Sequence, residues 1–189
     1  MKDLGTLGGK CGFGFDINDN GQVVGTAQTQ DGFWHGFLWQ KEKMIDLGTF
    51  RKKDISKKDI VMPFAINESG QVVGEIANDS LVNQLLQRQW GHRFLTMPDC
   101  LHRGIGSNFA FIWESGVMKD LNSLIPVGSD WVLVSASDIN DKGQIIATGV
   151  SKTKRTIGVL FLNPISKSSA KLVFGAETSR ELPLSKPRN

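Results

Sequence analysis

Hydrophobic and polar positions alternate over short runs along this chain, and Gly, Asn and Asp break the runs before any helical spacing builds up. One run returns three times. Asp16 to Gly25 reads DINDNGQVVG, Ala65 to Gly74 reads AINESGQVVG and Asp138 to Ala147 reads DINDKGQIIA, with Asn, Gly and Gln in register throughout. A period of a few tens of residues marks a repeated supersecondary unit. Each copy predicts a hairpin in which Ile17, Ile66 or Ile139 ends one strand and Val23-Val24, Val72-Val73 or Ile145-Ile146 opens the next. Gly21, Gly70 and Gly143 stand where the turn needs a left-handed residue, a conformation Gly adopts without a Cβ penalty. Asn18, Asn67 and Asn140 open these turns, and an Asn side chain there bonds the backbone two residues on.

A second element recurs around the first: FLWQKEKMIDLGT from Phe37, FIWESGVMKDLNS from Phe111, and a fainter VLFLNP from Val159 followed by KLVFG from Lys171. It predicts another hairpin, with turns at Gln40 to Lys43 and Glu114 to Gly116. One unit then holds four strands in ~40 to 45 residues, the size of a propeller blade. MKDLGT at Met1 repeats the end of this element, so Met1 to Thr6 reads as an orphan strand. The Asp-Leu anchors at Asp3, Asp46 and Asp120 lie 43 and 74 residues apart, which places an insertion in the middle copy at about Glu75 to Asn108.

DLGTLGG from Asp3 to Gly9, the DIN-x-x-GQVVG hairpin and HGFLW from His35 to Trp39 resemble the HAF-repeat family of extracellular repeat proteins. The resemblance covers about Met1 to Asn163 outside the insertion. It implies tandem β units on exported proteins, without an assigned activity. Gly36 stands where the eponymous Ala would be, and the third copy has lost His and Trp.

Composition supports the β reading. Twenty-one Gly against six Pro, with eleven Phe, five Trp and no Tyr, suit tight turns between aromatic-bearing strands. At 40% hydrophobic and 22% charged, the 189 residues fit a globular class that buries its own core. The formal charge of +3 is uneven, because Lys152 to Asn189 carries eight basic residues against Glu177 and Glu181. No run approaches the ~18 to 20 apolar residues of a membrane span, and no charged start leads into an apolar signal core. Cys11 and Cys100 permit one internal disulfide at most and match no paired zinc or thiol-redox spacing.

Candidate chemistry is sparse. Asp16, Asn18 and Asn20, followed by Gly21, fit the first half of a calcium loop, but the twelfth position falls on Ala27 and the other copies substitute Ala65 or Lys142 among the ligands. The turn reading is therefore preferred and no metal or other cofactor is expected. His35 sits beside Phe37 and Trp39 on a strand, the setting of a packed or hydrogen-bonded imidazole more often than of a catalyst. In the insertion, Asp79 or Ser80 could cap a short helix with Leu81, Val82, Leu85, Leu86 and Trp90 on one face. Beyond it Trp90, His92, Arg93, His102 and Arg103 form the speculative ligand or partner lip, set against the plainer reading of a helix lidding its own unit. Arg51 to Lys58 and the basic tail carry no interleaved aromatics, so nucleic acid is not an expected partner.

The chain thus reads as all-β: a repeat domain over residues 1–175, in units of about 1–43, 44–116 and 117–175 with a helical insertion at about 75–108, then a disordered basic tail over 176–189. Three units are too few for an ordinary propeller of 4 to 8 blades. Either two chains close one ring as a homodimer, or the units belong to a longer array, or they close as a trefoil-like threefold barrel. The expected function is a non-enzymatic binding or scaffold module for a protein or glycan ligand, with no membrane insertion. The rivals are a hydrolase with a site assembled from loops and a structural surface-array unit. The family resemblance implies secretion or the cell surface, while the missing signal core leaves the cytoplasm open.

Overall fold

The computed structural model describes residues 1–48, 59–78, 108–154, 156–166 and 173–177. Among these residues, twelve strands build three antiparallel sheets of four. The first is β1 (Gly8–Ile17), β2 (Val23–Thr29), β3 (Trp34–Gln40) and β4 (Lys43–Asp46), paired in chain order. The second follows the same order in β5 (Asp59–Ile66), β6 (Val72–Asn78), β7 (Phe109–Glu114) and β8 (Val117–Asp120). The third comprises β9 (Trp131–Ile139), β10 (Ile145–Ser151), β11 (Ile157–Ser166) and β12 (Val173–Glu177).

The repeated sequence fixes a repeated register. Ile17 faces Val23, Ile66 faces Val72 and Ile139 faces Ile145. On the other side of the central hairpin Val23 faces Trp39, Val72 faces Trp113 and Ile145 faces Leu162. Each first strand carries a bulge just before the motif, at Phe15, Phe64 and Ser137. The second hairpin of the first two sheets closes on two left-handed residues, Lys41-Glu42 and Ser115-Gly116, as a two-residue type I′ turn requires.

Two apolar layers form the core, one between each pair of consecutive sheets. Val24 and Leu38 of the first sheet meet Ile66, Val72, Phe111 and Trp113 of the second, while Leu47 adds the chain leaving β4. Val73 and Ile112 meet Ile139, Ile145, Leu160 and Leu162 of the third, with Leu121 and Leu124 packed in from the 3-10 turn Leu121–Ser123 and its cap. Strand alternation explains this: Val72 and Val73 point to opposite faces, so the second sheet is buried on both sides. Each fully buried Val, Leu or Ile contributes about 1.5–3 kcal/mol. Thr26 Oγ1 adds a polar tie between sheets by donating to the Val61 carbonyl at 3.0 Å.

Several expectations change. Met1 to Thr6 forms no strand; Leu7 makes one isolated bridge to Thr29, and Lys2 turns back onto the first sheet, its Nζ 2.6 Å from Glu42 Oε1 and 5.0 Å from the Trp39 ring centre. No threefold barrel closes either, since neither apolar layer joins the first sheet to the third among the described residues. The strand bearing the Met-x-Asp pattern ends each of the first two sheets instead of opening the next, as β4 and β8 show. Glu75 to Asn78, placed at the start of the insertion, complete β6, and Ala176 and Glu177 belong to β12 instead of the tail. The expected helix near Trp90 lies outside the described residues. No helix among the described residues is long and apolar enough to cross a membrane.

Candidate functional site

The three turns line up along one edge of the molecule and share one hydrogen-bond pattern. In each, the Asn N–H donates to the Gln carbonyl (Asn18 to Gln22 and Asn67 to Gln71 at 3.1 Å, Asn140 to Gln144 at 3.0 Å), and the Gly N–H returns to the Asn carbonyl at 2.9 Å. The Asn Oδ1 accepts from the Gln N–H at 2.9–3.0 Å, and the Asn Nδ2 donates to the Gln Oε1 at 2.7 Å. The Gln Nε2 then reaches the third strand, at Gln40, Glu114 and Asn163. Gly21, Gly70 and Gly143 have φ of 70°, 75° and 75°, the left-handed region the turn demands. This accounts for the repeated Asn, Gly and Gln together.

The second Nδ2 hydrogen leaves the unit. Asn18 donates it to the Asn67 carbonyl and Asn67 donates it to the Asn140 carbonyl, both at 3.0 Å. Beside this file runs another: the Asp19 N–H donates to Glu68 Oε1 at 2.7 Å and the Glu68 N–H to Asp141 Oδ1 at 2.9 Å. Asn20 Nδ2 also donates to the Glu68 carbonyl and to Glu68 Oε2. The acids of the second and third turns thus hold the preceding turn.

The calcium candidates are placed inside this scheme. Asp16 Oδ1 accepts from the Ile17 N–H and Oδ2 from the Ile66 N–H, at 2.9 and 2.8 Å, and Asn18 Oδ1 accepts from Gln22. Asp16 therefore reaches into the second unit, where Ala65 has no carboxylate of its own. Asn20 is committed to Glu68. No group of three or more His, Cys, Asp or Glu gathers as a metal set among the described residues. Trp90, His92, Arg93, His102 and Arg103 lie outside the described residues, as does Cys100.

The partner of His35 and two further features escaped the sequence reading. His35 Nδ1 pairs with Asp46 Oδ2 at 2.7 Å across β3 and β4, and Asp46 Oδ1 accepts from the Gly48 N–H. That hydrogen bond raises the imidazole above its ordinary value against the opposing effect of burial. Burial pushes Asp46 upward, but the bonds from His35 and Gly48 and the His charge carry it below the usual carboxylate value. Glu75 on β6 is mostly buried, which pushes its carboxyl above the ordinary range despite a bond from Ser135 on β9. Finally, an open cleft of ≈ 410 Å³ lies beside the 3-10 turn, with Phe109, Ile125, Val132 and Trp131 as apolar walls and Asn122 and Lys152 as polar groups. No local motif marks these pairs, because their members come from different strands.

No curated protein and no solved structure matches this chain. A family model does match, over residues 9–168, and it is described as "Protein of unknown function (DUF3466)". It replaces the HAF-repeat assignment that the motifs suggested, and the expectation of export stood on that assignment. With the match spanning most of the chain and all three repeated turns, the chain belongs to the DUF3466 family.

Proposed function

We propose that this chain is a non-enzymatic binding or scaffold module in which the three sheets serve as propeller-type blades. One observation carries the reading. The amides and acids of the repeated turns, the groups a loop rim would otherwise offer to a substrate, bond the neighbouring unit and hold the sheets in file. A scaffold needs such fixed spacing, whereas a catalytic rim needs free groups of matched pKa. The cleft beside Trp131 supplies the ligand-facing part of the proposal: aromatic and aliphatic walls, with Asp120, Ser129 and Lys152 also in the lining, suit a peptide or glycan. A peptide and glycan binding screen run beside a hydrolase panel tests it. Saturable binding without turnover, weakened by Trp131→Ala, is the expected result. Turnover that follows the purified chain through successive columns would overturn it.

A further inference from the structure

The bond files between turns have direction, and each stops with an unused half. At the first turn, the Asn18 carbonyl accepts only the Gly21 N–H among the described residues, whereas the Asn67 and Asn140 carbonyls each accept a second bond from the preceding unit. The Asp19 carboxylate holds the position from which Glu68 and Asp141 grip the turn before them. At the third turn, Asn140 Nδ2 donates to Gln144, but no bond continues to a fourth turn, and the Asp141 N–H has no partner among the described residues. One end therefore presents two acceptors and the other two donors.

The apolar residues tell the same story position by position. Ile66 and Ile139 are each 5% exposed because a preceding sheet covers them, while their counterpart Ile17 is 64% exposed. Val24 and Val73 are fully buried by a following sheet, while their counterpart Ile146 is 43% exposed. Leu38 and Ile112 are buried and the matching Phe161 is exposed, with Val159 exposed beside it. The first sheet shows an uncovered leading face and the third an uncovered trailing face. Lys2 lies across the margin of the leading face over Trp39, leaving Ile17 open.

We propose that a second copy of this chain docks head to tail, its leading face at Ile17, Asn18 and Asp19 seated on the trailing face at Asn140, Asp141, Ile146 and Phe161. The two internal junctions are the template: the same hydrogen bonds and the same apolar positions already meet twice within one chain. The contact is heterologous, so it closes a ring where the rotation allows and extends an array where it does not. A second copy is the occupant because the two donors left open at the third turn match the two acceptors at the first, and Ile146 and Phe161, open at one end, match Ile17, open at the other. The inference rests on the scaffold reading, and the two fail differently: that reading falls to turnover, this one to the state of association.

Sedimentation of the full chain with Ile17→Lys and Ile146→Lys tests it. Both positions are exposed in the single chain, so each variant should melt as its monomer does. Wild type should sediment as two or more chains of 20.8 kDa at micromolar concentration. A Lys charge placed in the contact should weaken association about a hundredfold in either variant alone. Mixing the two variants should restore a one-to-one dimer, because Ile146→Lys keeps a sound leading face and Ile17→Lys a sound trailing face. A monomeric wild type overturns the proposal. Variants that associate as wild type does, or a mixture that stays monomeric, overturn it equally.

Discussion

Asn18 donates its side-chain amide to the main-chain oxygen of Asn67, 49 residues further on, and Asn67 repeats the bond to Asn140. A turn residue expected to serve its own hairpin therefore also joins one sheet to the next. Two hydrogens on one amide nitrogen make this double duty possible.

Asn67 should be the most costly of the three to replace. It is buried, and Asn67→Ala leaves the Gln71 N–H without its acceptor and the Asn140 carbonyl without its second donor. A loss of about 2–4 kcal/mol is expected, at ~1–3 kcal/mol per buried group left unsatisfied. Asn140→Ala at the exposed end should cost about 1 kcal/mol, near the net worth of an ordinary hydrogen bond. Urea unfolding of the two variants side by side measures the difference, and equal losses would remove the inter-sheet role.

Gly70→Val puts a β-branched residue at a φ of 75°. The space around it is open enough, with Gln22 Oε1 3.6 Å from an added Cβ, so backbone strain is the main cost. A destabilisation of about 1–3 kcal/mol is expected, or roughly 2–4 °C in Tm for each kcal/mol at this chain length. Calorimetry of wild type and variant checks it; an unchanged Tm contradicts the turn geometry.

His35 and Asp46 make a pH-dependent pair. The folded imidazole titrates above 6.5, so its contribution is full below 6.5 and is lost as pH rises through the folded value. The folded carboxyl titrates below 3.8, so its contribution is present above 3.8 and is lost as pH falls through its own folded value. The pair is therefore strongest between the two. Both groups are partly exposed and the effect on stability is small. Asp46→Asn should move the His35 titration, followed by NMR, downward; an unmoved titration would break the assignment.

Glu75 runs the other way. A carboxyl raised by burial holds its proton more tightly in the fold, so its contribution is full below about 4.5 and is lost as pH rises through the folded value. Glu75→Gln should raise Tm at neutral pH and lose that advantage in acid. Melts across that range measure it, and a variant less stable than wild type at pH 7 would show that the ionised acid is needed by Ser135.

What the sequence made legible follows from distance along the chain. Ile17, Val23 and Gly21 declare a hairpin because turn chemistry and alternation act within ten residues, and all three copies formed it in one register. The Gln in register was visible but unexplained, since its partners Gln40, Glu114 and Asn163 lie on the third strand. Glu68 has no partner within its own turn motif, and only the stacking of turns commits it to Asp19 and Asn20. Met1 to Thr6 misled because the motif match is local, whereas Lys2 packs on Glu42 and Trp39 and only Leu7 bridges to Thr29.

The sheet buried on both faces also governs how the molecule folds. Its two central strands pair across a long connection: the chain leaves β6 at Asn78 and returns at Phe109. In the unfolded chain, closing that span costs about 2 kcal/mol more than closing the four-residue connection between β2 and β3. Yet neither outer sheet has a covered face until the middle one exists. Hairpins at Asn18 and Asn140 can form early and locally, so the meeting of Val72 with Trp113 is the expected slow step. Lengthening the connection between Asn78 and Phe109 should accordingly slow refolding while leaving the unfolding rate nearly untouched.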